Sequence, residues 1–241
     1  MVRMEKSFWR IVLPALATGL VTASVGFAEN PSDETKRITE SIEVMESLNA
    51  TPDSAIPKYV LDRAEAIVVI PTLVKGGFVV GAEHGRGVMS VRNGKTRQWS
   101  PPGFVTLTGA SIGWQIGLQS VDLVLVVMNR DGVDDLLRSE FTLGGNASVA
   151  AGPVGRSAEA STDALMGAKI LAYSRAKGLF AGATLEGSSL RSDDDANRRF
   201  YGQEMSATAL AESAGLPKAP AAVKQWRAAL SRTVGEARAS R

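Results

Sequence analysis

Residues 104–120 constrain this chain more than any other stretch. One set of alternate positions reads Phe104, Thr106, Thr108, Ala110, Ile112, Trp114, Ile116 and Leu118. The other reads Val105, Leu107, Gly109, Ser111, Gly113, Gln115, Gly117 and Gln119. A period of two is the signature of a β-strand whose two faces meet different surroundings. A run of this length predicts a strand bent or broken once near its middle. Its glycines fall on a single face, where something must approach the backbone closely or the sheet must curl. Residues 121–128 are apolar on both faces and predict a central, buried strand.

The flanking segments extend this sheet and then close it with helices. Ile38, Ile42, Met45 and Leu48 recur at spacings of three and four, predicting a helix over residues 31–48. The polar side of that helix is rich in acid, with Glu34, Glu40, Glu43 and Glu46 beside Lys36 and Arg37. A short helix is expected over 57–64, and strands over 66–71, 77–83 and 87–92. Asn93-Gly94 supplies a type I′ turn, with 95–99 returning from it. Ser100-Pro101-Pro102-Gly103 must leave the ladder, because proline has no N–H to donate. A short helix is expected over 131–139, and short strands over 141–164, 169–175 and 178–186. Helices follow at 193–201, 207–214 and 219–238, the last with Val223, Trp226 and Leu230 on one stripe. The fold class expected is α+β: a curled, Gly-rich, mostly antiparallel sheet, a partly closed barrel or sandwich, flanked by N- and C-terminal helices.

The N-terminus carries Arg3, Lys6 and Arg10 against Glu5, followed by 18 residues without a charge and by Gly26-Phe27-Ala28. A basic start, an apolar run and small residues at a cut site predict a signal peptide over residues 1–28. Export would leave the protein periplasmic or secreted. Taking three bases and one acid from the 27 and 25 present leaves 24 of each, so the exported protein is neutral. The sequence pI near 9.0 therefore gives no argument for nucleic acid. The absence of cysteine removes disulfides, thiolate metal sites and a Cys nucleophile, and a single histidine removes multi-histidine metal sites. No cofactor motif is present.

Several motifs imitate catalytic or metal-binding ones. Gly109-Ala110-Ser111-Ile112-Gly113 has the letters of a serine-hydrolase elbow, which would make Ser111 a nucleophile. Strand alternation runs straight through it, however, and His84 precedes it rather than following. Asp193, Asp195, Asn197 and Glu204 are spaced like calcium ligands, but Arg198 stands where a turn glycine is needed. The plainer reading is a helix start capped by Ser192. Glu83-His84-Gly85-Arg86 is expected at a hairpin tip. Bases gather near the turns of the sheet region, with aromatics close by, and could meet a lipid headgroup. The candidate lipid contacts are Arg156, Arg175, Lys177, Phe180, Lys75 and Arg86.

Taken together, Lys75-Gly76-Gly77-Phe78, Trp99-Ser100-Pro101-Pro102, the ladder over 109–119, Phe141-Thr142-Leu143-Gly144, Ala151-Gly152-Pro153-Val154-Gly155-Arg156 and Lys177-Gly178-Leu179-Phe180-Ala181-Gly182 resemble the SYLF domain. Leu185-Glu186-Gly187, Asn197 and Phe200-Tyr201-Gly202 complete the pattern. The resemblance covers residues 38–202 and implies a single domain over 29–241, with 203–241 as a helical extension. It also implies a lipid-binding module that is not an enzyme, related to the yeast actin-binding SYLF proteins; bacterial members resemble envelope proteins. The partner expected is an anionic phospholipid or membrane surface, with no nucleic acid. The alternative is an envelope scaffold that docks a protein, with Trp226 as its anchor or in its core. The acid-rich first helix departs from the basic N-terminal segment linked to lipid in eukaryotic relatives.

Overall fold

The computed structural model describes residues 32–49, 55–77, 80–112, 117–138, 141–145, 148–155, 167–176, 178–183, 185, 187–213 and 219–239. The region expected to be a signal peptide lies outside them. Residues 31–241 form one compact unit. Its described strands are β1 (Ala66–Gly77), β2 (Val80–Val91), β3 (Gly103–Ile112), β4 (Gly117–Val127), β5 (Phe141–Thr142), β6 (Val149–Ala151), β7 (Ile170–Ala176), β8 (Leu179–Gly182) and β9 (Ser189–Ser192). The described helices are α1 (Asp33–Glu46), α2 (Lys58–Arg63), α3 (Arg130–Leu136), α4 (Asp194–Tyr201), α5 (Ala207–Glu212) and α6 (Ala221–Ala239).

The strands make one curled sheet in the order β5-β9-β3-β2-β1-β4-β7-β6. Every described pairing is antiparallel except β6 with β7. β6 pairs with the first half of β7 and β8 with the second, so two short strands share one edge position. The α+β class and the curled, mostly antiparallel sheet expected from the period-two pattern are what the chain forms.

Both faces of the sheet centre are buried. Ile67, Val69, Val88, Phe104, Val124 and Val126 pack beneath Ile38 and Met45 of α1, Leu48 just after it, and Trp226 and Leu230 of α6. Val68, Ile70, Met89, Leu107, Leu123 and Leu125 pack on the other side against Val133 and Leu136 of α3, with Phe141 and Leu190. Each large aliphatic side chain buried in this way contributes about 1.5–3 kcal/mol. Trp226 is fully buried, so it belongs to the core and is not an exposed anchor.

Several boundaries differ from the sequence reading, each for a local reason. The long alternation over 104–120 is two strands, and they do not pair with each other: β3 lies on β2, and β4 lies on β1. Residues 121–127 are the second half of β4 rather than a separate strand, and Met128 follows it. β2 runs unbroken through Glu83-His84-Gly85-Arg86, so His84 is in mid-strand, opposite Val74 and Thr108, and not at a tip. The Asn93-Gly94 turn is not type I′, because the positive φ falls on Arg97 at 59°. Instead the Asn93 side chain accepts hydrogen bonds from the N–H groups of Lys95 and Thr96, and only an isolated Arg92–Trp99 bridge returns. Asp193, not Ser192, caps α4 by accepting from Ala196 N.

Candidate functional site: a cleft between the first helix and a bulge in β1

Pro71 and Thr72 interrupt β1. Between Val69 and Val74 the strand advances five residues while β2 advances four, from Val88 to His84. Against β4 it advances three, from Ile70 to Leu73, while β4 advances two, from Leu123 to Val121. One extra residue therefore bulges out of β1 relative to both neighbours. Thr72 pays for the bend with a φ of 65°, a left-handed conformation that a β-branched residue rarely adopts. Its N–H donates to Asp122 Oδ1 at 3.2 Å. Asp122 Oδ2 in turn accepts from Arg175 Nε at 2.6 Å. A chain of contacts from β7 through β4 thus pins the bulge.

Beyond the bulge the helix-covered face of the sheet opens to solvent. Val69, Val88 and Phe104 are buried, whereas Val74, His84, Arg86 and Thr108 are exposed. Strand alternation puts His84 and Arg86 on one face, the face that carries Val88. Opposite them stands the N-terminal half of α1, where Asp33, Lys36, Arg37 and Glu40 form one stripe at helical spacing. Helix wall, bulge and strand wall enclose an open cleft of about 490 Å³.

The helix wall is fixed by two ion pairs to α4. Arg37 Nη1 meets Asp193 Oδ2 at 3.0 Å, and Arg199 Nε meets Glu34 Oε1 at 2.8 Å. The Arg37 guanidinium also lies 5.2 Å from the centroid of the Phe104 ring. Burial alone would push the Glu34 carboxyl up, but the Arg199 hydrogen bond, a backbone N–H and the charges of Arg199 and Arg37 outweigh it. The net result holds Glu34 below its ordinary value. A carboxyl whose pKa is lowered by folding stabilises the fold above the ordinary carboxylate range, and that contribution is lost as pH falls through the lowered value. Glu34→Gln is therefore expected to lower Tm by roughly 2–4 °C at pH 7 and by less at pH 3, measured by thermal unfolding at both pH values.

The residues singled out from sequence have different fates. Arg156 and Lys177 lie outside the described residues. Arg175 is tied up within the protein: its Nε and Nη2 both meet Asp122 Oδ2, and Nη1 donates to Ser47 Oγ at 2.6 Å. Phe180 is 4% exposed, with the Arg175 guanidinium 5.9 Å from its ring centroid. Lys75 points to the opposite face and pairs with Glu83 at 3.0 Å. Arg86 is exposed and lines the cleft. Asp33, Lys36 and Thr72 complete the cleft and were not singled out from sequence. The visible signal for Thr72 was Pro71, which interrupts an otherwise β-branched strand; no local signal marked Asp33 and Lys36.

The catalytic imitations fall on structural roles. Ser111 stands within strand β3, between Ala110 and Ile112 of the same strand and opposite Gly81; Gly113 lies outside the described residues. Ser188 does donate to Glu83, but Ser188 is 1% exposed and Glu83 is tied to Lys75. Gly109 makes that contact accessible across β3, since a Cβ there would lie 2.6 Å from Ser188 Oγ. Asp193 caps a helix, Asp195 pairs with Arg198, and Asn197 accepts from Phe104 N at 2.9 Å. Among the described residues no group of His, Cys, Asp and Glu could hold a metal ion, and no helix is long and apolar enough to cross a membrane.

A family model for Ysc84, described as "Las17-binding protein actin regulator", matches residues 108–233. LAS seventeen-binding protein 3 of Saccharomyces cerevisiae is 43% identical over 160 residues, covering 64% of this chain and 34% of its own length. SH3 domain-containing YSC84-like protein 1 of Xenopus laevis is 34% identical over 177 residues, covering 73% of this chain and 52% of its own. Its Homo sapiens counterpart is 36% identical over 159 residues, covering 65% and 45%. The chain thus spans about half or less of the length of these curated relatives.

Proposed function

Because the chain belongs to the Ysc84 family of Las17-binding, actin-regulating proteins, the SYLF-domain family that its motifs resemble, we propose that it is a non-catalytic module that binds phospholipid headgroups. Arg86 meets the headgroup phosphate at the open end of the sheet. The observation that carries this reading is the cleft itself: an exposed arginine and an exposed histidine on one strand face, beside an exposed valine. Among the described residues no ion-pair partner accompanies Arg86, whereas Arg175 and Lys75 are both paired. The bases expected on lipid thus divide, Arg86 toward the ligand and Arg175 toward the bulge that shapes its site. The basic, apolar, small-residue N-terminus supports work at a bacterial cell envelope after export.

Co-sedimentation of the full chain with vesicles of mixed phosphatidylcholine, phosphatidylethanolamine and phosphatidylglycerol tests this at two salt concentrations. Arg86→Glu is expected to weaken binding about tenfold, the worth of a hydrogen bond between charged groups, while leaving the fold intact. Unchanged vesicle binding by a folded Arg86→Glu protein would overturn the site. A second reading, favoured by the names of the relatives, is a protein partner. It expects no vesicle affinity and a stoichiometric complex with an isolated partner.

A further inference from the structure

The charges around the cleft are separated by wall. Of the bases on the helix wall, Arg37 is committed to Asp193 at 3.0 Å, and Lys36 lies 3.8 Å from Glu40 in an exposed pair. That leaves Asp33 as an acid for which no partner occurs among the described residues. On the strand wall stand Arg86 and His84, and that wall contributes no acid to the cleft. Lys75 and Glu83, next to them in sequence, face the other side and satisfy each other. A purely anionic ligand would meet Arg86 but be repelled by Asp33, the acid of the helix wall that Lys36 and Arg37 leave uncompensated. A ligand carrying both signs, a phosphate at one end and a cation a few bonds away, would match both walls at once.

We propose that the cleft takes a zwitterionic aminophosphate: a phosphodiester held by Arg86 and His84, with a primary ammonium donating to Asp33. This rests on the phospholipid reading above and narrows it to the ethanolamine headgroup. A primary ammonium has N–H donors for the Asp33 carboxylate, whereas the quaternary nitrogen of choline has none. The cleft volume of about 490 Å³ falls among pockets that hold small molecules, about 300–1,000 Å³. Its open mouth leaves the glycerol end of such a headgroup free to continue into a bilayer. The acid-rich side of α1, which argues against attraction to an anionic surface, becomes the half of the site that recognises the amine.

The test compares the full chain on vesicles of pure phosphatidylcholine, of phosphatidylcholine with phosphatidylethanolamine, and of phosphatidylcholine with phosphatidylglycerol. Soluble glycerophosphoethanolamine is titrated in parallel. The proposal expects the ethanolamine vesicles to bind most tightly. Asp33→Asn should lower that preference by about threefold to fivefold, the size of one exposed charge contact, and leave phosphatidylglycerol binding no weaker. Preference for phosphatidylglycerol, undiminished by Asp33→Asn, would overturn the aminophosphate and keep the phospholipid reading. Binding to none of the vesicles would overturn both. Saturation by glycerophosphoethanolamine without vesicle binding would keep the aminophosphate site and assign it to a free ligand rather than to a bilayer.

Discussion

Replacing Gly87 by alanine is expected to cost about 3 kcal/mol or more, a large share of what a domain of this kind has to lose. A Cβ at Gly87 would lie 2.0 Å from the carbonyl oxygen of Val69 and 2.8 Å from Ile70 Cα. Both are backbone atoms of β1, so no rotamer change relieves the clash, and the two strands would have to part. Overpacking a well-filled interior costs about 1–3 kcal/mol when side chains can yield; here they cannot. The same contact explains why the site forms at all. β2 can lie against the bulged segment of β1 only because it carries no side chain at Gly87. Gly85 is the milder control, since its Cβ would meet the Ile70 Cγ2 and Leu73 Cδ1 side-chain atoms. Urea unfolding of Gly87→Ala and Gly85→Ala checks the order: the first is expected to be much the less stable. Equal, small losses would mean that β1 yields at the bulge and that the register is not fixed there.

The second large effect lies on the opposite side of the core. Trp226 is fully buried, and its Nε1 donates to Ser90 Oγ at 2.7 Å. Ser90 passes the contact on by donating to the carbonyl of Ser100 at 3.1 Å, and Ser100 Oγ accepts from Val91 N at 3.1 Å. One indole therefore links α6 to the end of β2 and to the Pro-Pro exit from it. Trp226→Ala removes the largest fully buried side chain among the described residues and opens a cavity, at a cost of about 3–5 kcal/mol. Trp226→Phe keeps most of the apolar contact and loses the hydrogen bond, at about 1 kcal/mol. Chemical denaturation of the pair separates packing from hydrogen bonding. A near-neutral Trp226→Ala would show that α6 is an appendage rather than part of the core.

The sheet was legible because period-two alternation and two-faced apolar runs depend on neighbours in sequence. Its order was not. β1 pairs with β4 across a separation of about fifty residues, and no local pattern records that β3 goes to β2 while β4 goes to β1. Glu83-His84-Gly85-Arg86 reads as a turn because charge and glycine usually mark one. Here the buried glycine between two exposed residues makes room for Ile70 and Leu73.

The candidate site was legible only in part, for a related reason. Position near a turn shows that a cation can reach solvent, not which way it points or what lies opposite. Lys75 and Arg86 sit on opposite faces by strand parity, and one finds Glu83 while the other finds open space. Arg175 was singled out with good cause, but Asp122 stands beside it in register. The acids of α1 were visible in the sequence. That Asp33 and Glu40 face a basic strand was not, because it depends on where the helix is laid.

The chain contains a single histidine, and it stands in the cleft. Its imidazole resonances therefore report on the site without further assignment. The most direct test is to record them at fixed pH while glycerophosphoethanolamine, and then phosphatidylethanolamine nanodiscs, are added to the full chain. Progressive, saturable shifts that Arg86→Glu abolishes are the predicted result. Imidazole resonances that stay unmoved while the protein binds the nanodiscs would place the headgroup elsewhere and contradict the account.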